Sequence, residues 1–337
     1  MIHVTDRTLS SLDEVPQNIS VLARFLELLI QTEPDAIELS QKMFHLLSPL
    51  PKYPGYIVRI DKVEEVSKYP GVAGVVCSCA PADSGEKVTC EIILNDINDI
   101  NDISDINAAS GFKDCKKIRI QGLDDIITGD YLEVFTQLRK SFSGEIEFCP
   151  TDGCHFAAAL AAEWLMSGVA AGGGTEKNGA VNRIVTSFGG TGGFAPTEEV
   201  IMILKLAGLR HAEKTYSFFP EMTSLLNKIT AKPVRRNKPV LGRRIFYVES
   251  GIHVDGVLKD PKCYEPFPPE TVGLKRKIVI GKKSGTASIK TKLAELGISC
   301  DEEKIPAILE GVRAKSEIKR GALNDIEFAQ VVKECVA

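Results

Sequence analysis

Two side chains able to move a proton near neutral pH, His253 and Tyr264, stand eleven positions apart. They lie in the run Glu249-Ser250-Gly251-Ile252-His253-Val254-Asp255-Gly256 and its continuation Tyr264-Glu265-Pro266. The segment also holds Gly251, Gly256, Pro261, Pro266, Pro268 and Pro269. Gly and Pro at that density argue against a long helix or a central strand, so an ordered loop or lid is expected, and such loops carry function. The plainer alternative is a surface connector whose histidine caps a helix. Other candidates have stronger competitors. Cys149, Cys154 and His155 could hold a soft metal, against a buried strand-end cysteine and a helix-start histidine. Cys149 is also the one candidate nucleophile, with nothing visible in the sequence to activate it. Gly189, Gly190, Gly192 and Gly193 could form an anion nest before a helical pattern, but Glu198 and Glu199 already complement that helix start. The period-three Asn/Asp/Ile repeat over 95–107 lacks the in-register Gly and Glu of a calcium loop. Lys275, Arg276, Lys277, Lys282 and Lys283 could meet phosphates, or simply coat a solvated face.

The elements that must position these residues alternate. Strands are expected at Ile2–Thr5, Ala36–Leu39, Tyr56–Ile60, Gly74–Ser78, Val88–Leu94, Lys117–Ile120, Ile146–Cys149 and Arg183–Thr186. A helix is predicted over 16–33, with Leu22, Phe25, Leu26 and Leu29 on one face, Pro16 in its first turn and Pro34 beyond its end. Further helices fall at about 62–69, 131–142, 155–167 and 197–207. Eight strands separated by helical patterns imply parallel pairing and a (β/α)8 TIM barrel, with a doubly wound sheet as the alternative. The short link between the fourth and fifth strands fits least well. After about residue 208 the alternation stops. A helix over 218–229 and a basic connector at 232–239 lead into the lid segment. Helices follow at 286–296, 301–319 and 325–335, with Asp301 and Asn324 placed as caps for the last two. The expected division is a barrel over 1–236, a lid segment over 237–285 and a small helical subdomain over 286–337.

The chain has 337 residues, 44% of them hydrophobic and 26% charged, with a formal net charge of −4. That composition suits a globular protein and gives no reason to expect nucleic acid or a membrane surface as partner. No apolar run approaches the roughly 18 residues that span a bilayer. No signal peptide is visible, and nine cysteines with only Cys77 and Cys79 close together point to reduced thiols, so a cytoplasmic location is expected.

The runs Glu249 to Pro261, Tyr264-Glu265-Pro266-Phe267 and Ile280-Gly281-Lys282-Lys283-Ser284-Gly285, with Asn237-Lys238-Pro239-Val240-Leu241-Gly242 upstream, resemble the homocitrate synthase and 2-isopropylmalate synthase family. The likeness is strong over about 237–290 and diffuse before it, and is nearest to the homocitrate synthases of nitrogen fixation. It implies a barrel with a divalent metal, a C-terminal lid, and condensation of acetyl-CoA with a 2-oxo acid. It also implies that the lid of one subunit serves its partner's site, with His253 and Tyr264 as acid–base groups. Three barrel motifs of the family are altered. Asp6-Arg7-Thr8-Leu9 is followed by Ser10 where an arginine is expected and Ser11 where a metal-binding acid is expected. Cys149 and Thr151 stand at two metal-histidine positions, with His155 a poor substitute. Phe188-Gly189-Gly190-Thr191-Gly192-Gly193-Phe194 lacks the third motif's Glu, Arg and Asn. The resemblance therefore implies an omega-type chain of a split synthase. It would bind no metal itself, would be inactive alone, and would be completed by an alpha-type subunit holding Mg or Mn, or else would form a homodimer. A non-catalytic regulator or scaffold of a related synthase is the alternative. The 2-oxo acid, 2-oxoglutarate, follows from the resemblance alone.

Overall fold

The computed structural model describes residues 1–13, 18–78, 85–94, 115–171 and 181–336. Within them the chain forms two compact units, one of Met1–Glu213 with Glu221–Val234, the other of Lys214–Pro220 with Arg235–Ala337. The 95–107 repeat, Pro16 and Cys79 lie outside the described residues.

The first unit is a closed eight-stranded barrel. Its strands are β1 (Ile2–Asp6), β2 (Ala36–Ser40), β3 (Tyr56–Arg59), β4 (Gly74–Cys77), β5 (Val88–Leu94), β6 (Lys117–Gly122), β7 (Glu145–Pro150) and β8 (Asn182–Thr186), joined in chain order. Every pairing is parallel, β8 closes onto β1 with Val4 beside Ile184, and even the short β4–β5 link keeps Val76 beside Thr89. All eight strands read from the sequence are present. Their side chains alternate as the pleat requires. In β6 the odd positions Lys117, Arg119 and Gln121 are polar, and Ile118 and Ile120 are buried apolar residues. Arg119 bonds Glu38 of β2, a strand that does not neighbour β6, so both side chains cross the lumen. The lumen is ionic, and the apolar positions face outward.

The helices of this unit are α1 (Ile19–Gln31), α2 (Gln41–Leu46), α3 (Tyr131–Ser141), α4 (Ala157–Ala171) and α5 (Thr197–Leu206), with α6 (Phe219–Thr230) at its end. Asn18 caps α1 by accepting from Val21 N, and Leu22, Phe25, Leu26 and Leu29 are buried as their spacing requires. The helix expected at 62–69 is instead a 3-10 segment, Val63–Lys68, since Pro70-Gly71 stops it before an α-helix can propagate.

The second unit holds α7 (Gly251–Lys259), α8 (Thr286–Glu295), α9 (Ile305–Lys319) and α10 (Asp325–Val336), plus a parallel pair β9 (Tyr247–Val248) and β10 (Lys277–Ile278). Val254, Ile280, Ile289, Ile308, Val312 and Phe328 share one core. Asn324 caps α10 reciprocally, accepting from Glu327 N at 2.9 Å while Glu327 accepts from Asn324 N at 2.7 Å. Asp301 does not cap α9. Pro306 sits in that helix's first turn, so α9 starts at Ile305, and Asp301 precedes a separate 3-10 turn, Glu302–Lys304.

Candidate functional site

The segment expected as a loop contains a nine-residue helix, α7, which carries His253. Gly251 and Pro261 bound it, and Gly256 lies within it. Gly251 opens it, and Asp260-Pro261 ends it in a 3-10 turn, where Asp260 accepts from Lys262 N at 3.1 Å. Val254 and Val257 are buried, and Ile252, His253 and Leu258 are exposed. Tyr264 folds back along the helix, its ring centroid 5.6 Å from that of His253. Gly256 makes this possible, since a Cβ there would overlap the Tyr264 ring and hydroxyl. The helix start is clamped from below. Gly251 N donates to Lys283 O, and Lys283 N donates to Glu249 Oε1 at 3.1 Å. A Cβ on Gly251 would come within 2.6 Å of Gly285 Cα. Glu265 and Arg276 form a two-toothed ion pair at 2.7 and 2.6 Å that ties down the chain beyond Tyr264. The structure thus brings His253 and Tyr264 together as an exposed pair on an anchored element.

At the barrel's C-terminal end, the retained half of the first motif does structural work. Asp6 accepts from Thr8 N at 2.9 Å and from Thr197 Oγ1 at 2.5 Å, and Thr8 Oγ1 accepts from Phe188 N at 2.6 Å. These bonds hold the end of β1 to the chain after β8. The hydroxyls at the replaced positions have partners within the barrel. Ser11 Oγ donates to Arg7 O, and Ser10 Oγ lies 2.9 Å from Arg7 O and 2.8 Å from Glu38 Oε1. Cys149 is fully buried and receives Arg7 Nη1 at 3.5 Å, and Thr151 is bridged to Phe194. Burial pushes the Cys149 thiol up, which removes it as a nucleophile near neutral pH. Ser11, Cys149 and Thr151 offer no carboxylate or imidazole, so the implied Mg or Mn does not fit this donor set. Cys154 and His155 are exposed, His155 with its φ at 62°, and no group of three His, Cys, Asp or Glu among the described residues could hold a metal.

The lumen below contains a charge network that the sequence reading passed over. Arg119, fully buried, bonds Glu38 and meets Glu147 at 2.8 Å and Glu91 at 3.5 Å. Arg59 binds Glu91 through two bonds of 2.7 and 2.6 Å and Glu38 at 2.9 Å. Burial alone would raise Glu38, but the guanidiniums of Arg119, Arg59 and Arg7 outweigh it and hold the carboxyl well below its usual range. Glu147 is held down to about 2 against its burial, chiefly by Arg119. Asp6, which meets hydroxyls and an amide but no cation, is raised by burial to about 6. The signal was legible as charged residues, Glu38, Arg59, Glu91, Arg119 and Glu147, set among apolar neighbours in five strands.

The glycine nest is filled from within. Gly189, Gly190, Gly192 and Gly193 all have φ between 71° and 79°, but Gly189 N donates to the buried Glu198 carboxylate at 2.8 Å, and Gly190 and Gly193 donate to backbone carbonyls. The basic run also divides. Arg276 pairs with Glu265 and Lys282 with Glu317, and Lys277 lies over the Tyr247 ring.

Comparison with known proteins adds to this geometry. Residues 240–320 match the family model described as homocitrate synthase post-HMGL domain-like. The chain is 28% identical to the homocitrate synthase omega subunit of Clostridium pasteurianum over 98% of its own length and 95% of that protein's. It is 38% identical to homocitrate synthase AksA of Methanothermobacter thermautotrophicus over 204 residues, 60% of this chain and 49% of that one. Among solved structures, an HMG-CoA lyase from Bacillus subtilis aligns with TM-score 0.49 and 14% identity, covering 71% of this chain and 96% of that one.

Proposed function

We propose, for a chain that belongs to the homocitrate synthase and 2-isopropylmalate synthase family, that it is one chain of a two-chain homocitrate synthase and supplies His253 and Tyr264 to the other chain's site. The observation that carries this reading is the pair itself. Two proton-moving side chains stand 5.6 Å apart on the exposed face of a clamped helix, in a chain whose barrel mouth holds hydroxyls, a thiol and an arginine. The reaction joins acetyl-CoA to 2-oxoglutarate and, with water, yields homocitrate and CoA. The acetyl methyl group must lose a proton, and the former keto oxygen must gain one as the carbon–carbon bond forms. An imidazole and a phenol held side by side are suited to hold and return those protons. The metal of the alpha-type subunit would polarise the 2-oxo acid. Choice of 2-oxoglutarate rests on the names of the relatives.

The test is acetyl-CoA turnover with 2-oxoglutarate and Mg or Mn, using this chain alone and mixed with a metal-competent homologue from the same cell. Turnover is expected only in the mixture. His253→Ala should then lower it by on the order of a hundredfold or more, the usual worth of positioned acid–base groups. An unchanged rate in the mixture with His253→Ala would leave the chain as a regulator or scaffold. Turnover by the chain alone would overturn the division of labour.

A further inference from the structure

Three glutamates in the lumen, Glu38, Glu91 and Glu147, meet three arginines, Arg7, Arg59 and Arg119, so their charges close at zero. Arg59 ends β3, and Arg7 also stands at the barrel's C-terminal end. It follows β1 directly, and its backbone N donates to Thr186 O at 2.8 Å. Its guanidinium carbon sits 3.9 Å from the Phe194 ring centroid. Nη1 donates to Gln121 Oε1 at 2.7 Å and reaches Cys149 Sγ at 3.5 Å. Nε and Nη1 lie 4.0 Å from Glu38 and 3.8 Å from Glu91. The side chain is buried, and the Ser10 and Ser11 hydroxyls both lie against its own carbonyl. A planar cation held by an aromatic face, an amide and two carboxylates is fixed in place. No compact ammonium would fill the same contacts.

We propose that Arg7 is the built-in cation of this barrel mouth, neutralising Glu38 and Glu91 as a bound divalent metal would, and that the barrel is metal-independent because of it. Arg7 is a positioning residue in this sense. It occupies Cys149, one of the positions where the family resemblance implies a metal ligand. The inference concerns the fold and charge of this chain's own barrel and stands apart from the lid reading, since no arm of its test measures synthase activity.

The test uses the full chain and the one tryptophan, Trp164, buried in the barrel unit, as the reporter of barrel unfolding. Wild-type protein should melt at the same temperature in EDTA and in millimolar Mn. Its electron paramagnetic resonance titration should show Mn remaining free. Arg7→Met should lower the melting temperature in EDTA by on the order of 10 °C, because the buried Glu38 and Glu91 carboxylates keep only Arg59 and Arg119 and lose the third cation beside them. Millimolar Mn or millimolar guanidinium ion should restore part of that loss, and Arg7→Lys should fall between the two. Mn bound by the wild type and released by EDTA, with a matching melting shift, would overturn the proposal. So would Arg7→Met melting as the wild type does. If Arg7→Met does not fold, the wild-type Mn and EDTA arms still decide.

Discussion

At the scale of single residues, the chain separates side chains that hold the backbone from side chains that face outward. Asp6 and Thr8 survive in the first barrel motif because both bond backbone amides that fix the end of β1. Ser10 and Ser11, beside them, bond no backbone amide: both hydroxyls meet Arg7 O, and that of Ser10 also meets Glu38. On the lid helix the division runs the other way. His253 and Tyr264 face solvent, Tyr264 being 46% exposed, and Gly256 keeps its place because Tyr264 lies over it. Gly256→Ala is therefore a test of posture. The alanine favours the helix by about 1 kcal/mol, while its methyl group pushes Tyr264 off the helix. Tyr264 can swing out into water, so the melting temperature should hold or rise slightly. Turnover by the mixed complex should nonetheless fall toward that of a Tyr264→Phe variant. Full turnover with Gly256→Ala would show that the observed pairing of the two rings is not the working one.

At the scale of elements, α7 is held by contacts that only glycine permits. Gly251 at its start faces Gly285 at the start of α8, and a Cβ on Gly285 would come within 2.9 Å of Gly251 Cα. Neither partner is a flexible side chain, so one backbone segment must move. Gly285→Ala should destabilise the second unit by roughly 1–3 kcal/mol, the usual cost of overpacking. Followed in urea, far-ultraviolet circular dichroism should show an earlier partial transition, while Trp164 fluorescence, a reporter of the barrel alone, stays where it was. Coincident, unshifted transitions would show that the clamp contributes nothing. This clamp also shows what the sequence reading could and could not reach. The eight barrel strands were legible because β-rich runs such as Tyr56–Arg59 and Val88–Leu94 alternate with helix patterns and turn signals. His253 and Tyr264 were legible by residue type and spacing. The helix that carries them was not, because Gly251 and Gly256 read as breakers until Gly285 and Tyr264 are seen to fill the space of their missing side chains. Arg7 was hidden for a similar reason. Its role depends on Phe194, Gln121 and Cys149, which only barrel closure brings beside it. Asp301 was misplaced as a cap because the three-residue 3-10 turn before α9 has no sequence signal of its own.

At the scale of the molecule, the ionic lumen sets how the barrel responds to pH. Two groups of β1, the fully buried Asp6 and the half-buried His3, titrate in opposite directions across mildly acidic conditions. Burial raises Asp6 from 3.8 to about 6, so between those values the folded chain holds a proton that the unfolded chain has released. Stability from this group grows as pH falls, with a span of about 3 kcal/mol. Burial, aided by the charge on Arg183, lowers His3 from 6.5 to about 4. There the unfolded chain holds the extra proton, and stability shrinks as pH falls through the same window. The two slopes nearly cancel between about pH 6 and 4. Below that, Glu147, held near 2 by Arg119 against its own burial, loses its contribution as pH drops from 4.5 toward 2. Glu38 and Glu91 move in the same sense. The barrel should therefore show a plateau of unfolding free energy between about pH 6 and 4 and a steep fall beneath it. Asp6→Asn keeps an acceptor for Thr8 N and removes one of the two opposing slopes. Its stability, measured by urea unfolding with Trp164 fluorescence, should decline steadily from pH 6.5 to 4, whereas that of His3→Gln should climb over the same range. If both variants keep the wild-type plateau, the flat region does not arise from this opposition. Groups other than Asp6 and His3 would then set the pH response of the barrel above pH 4.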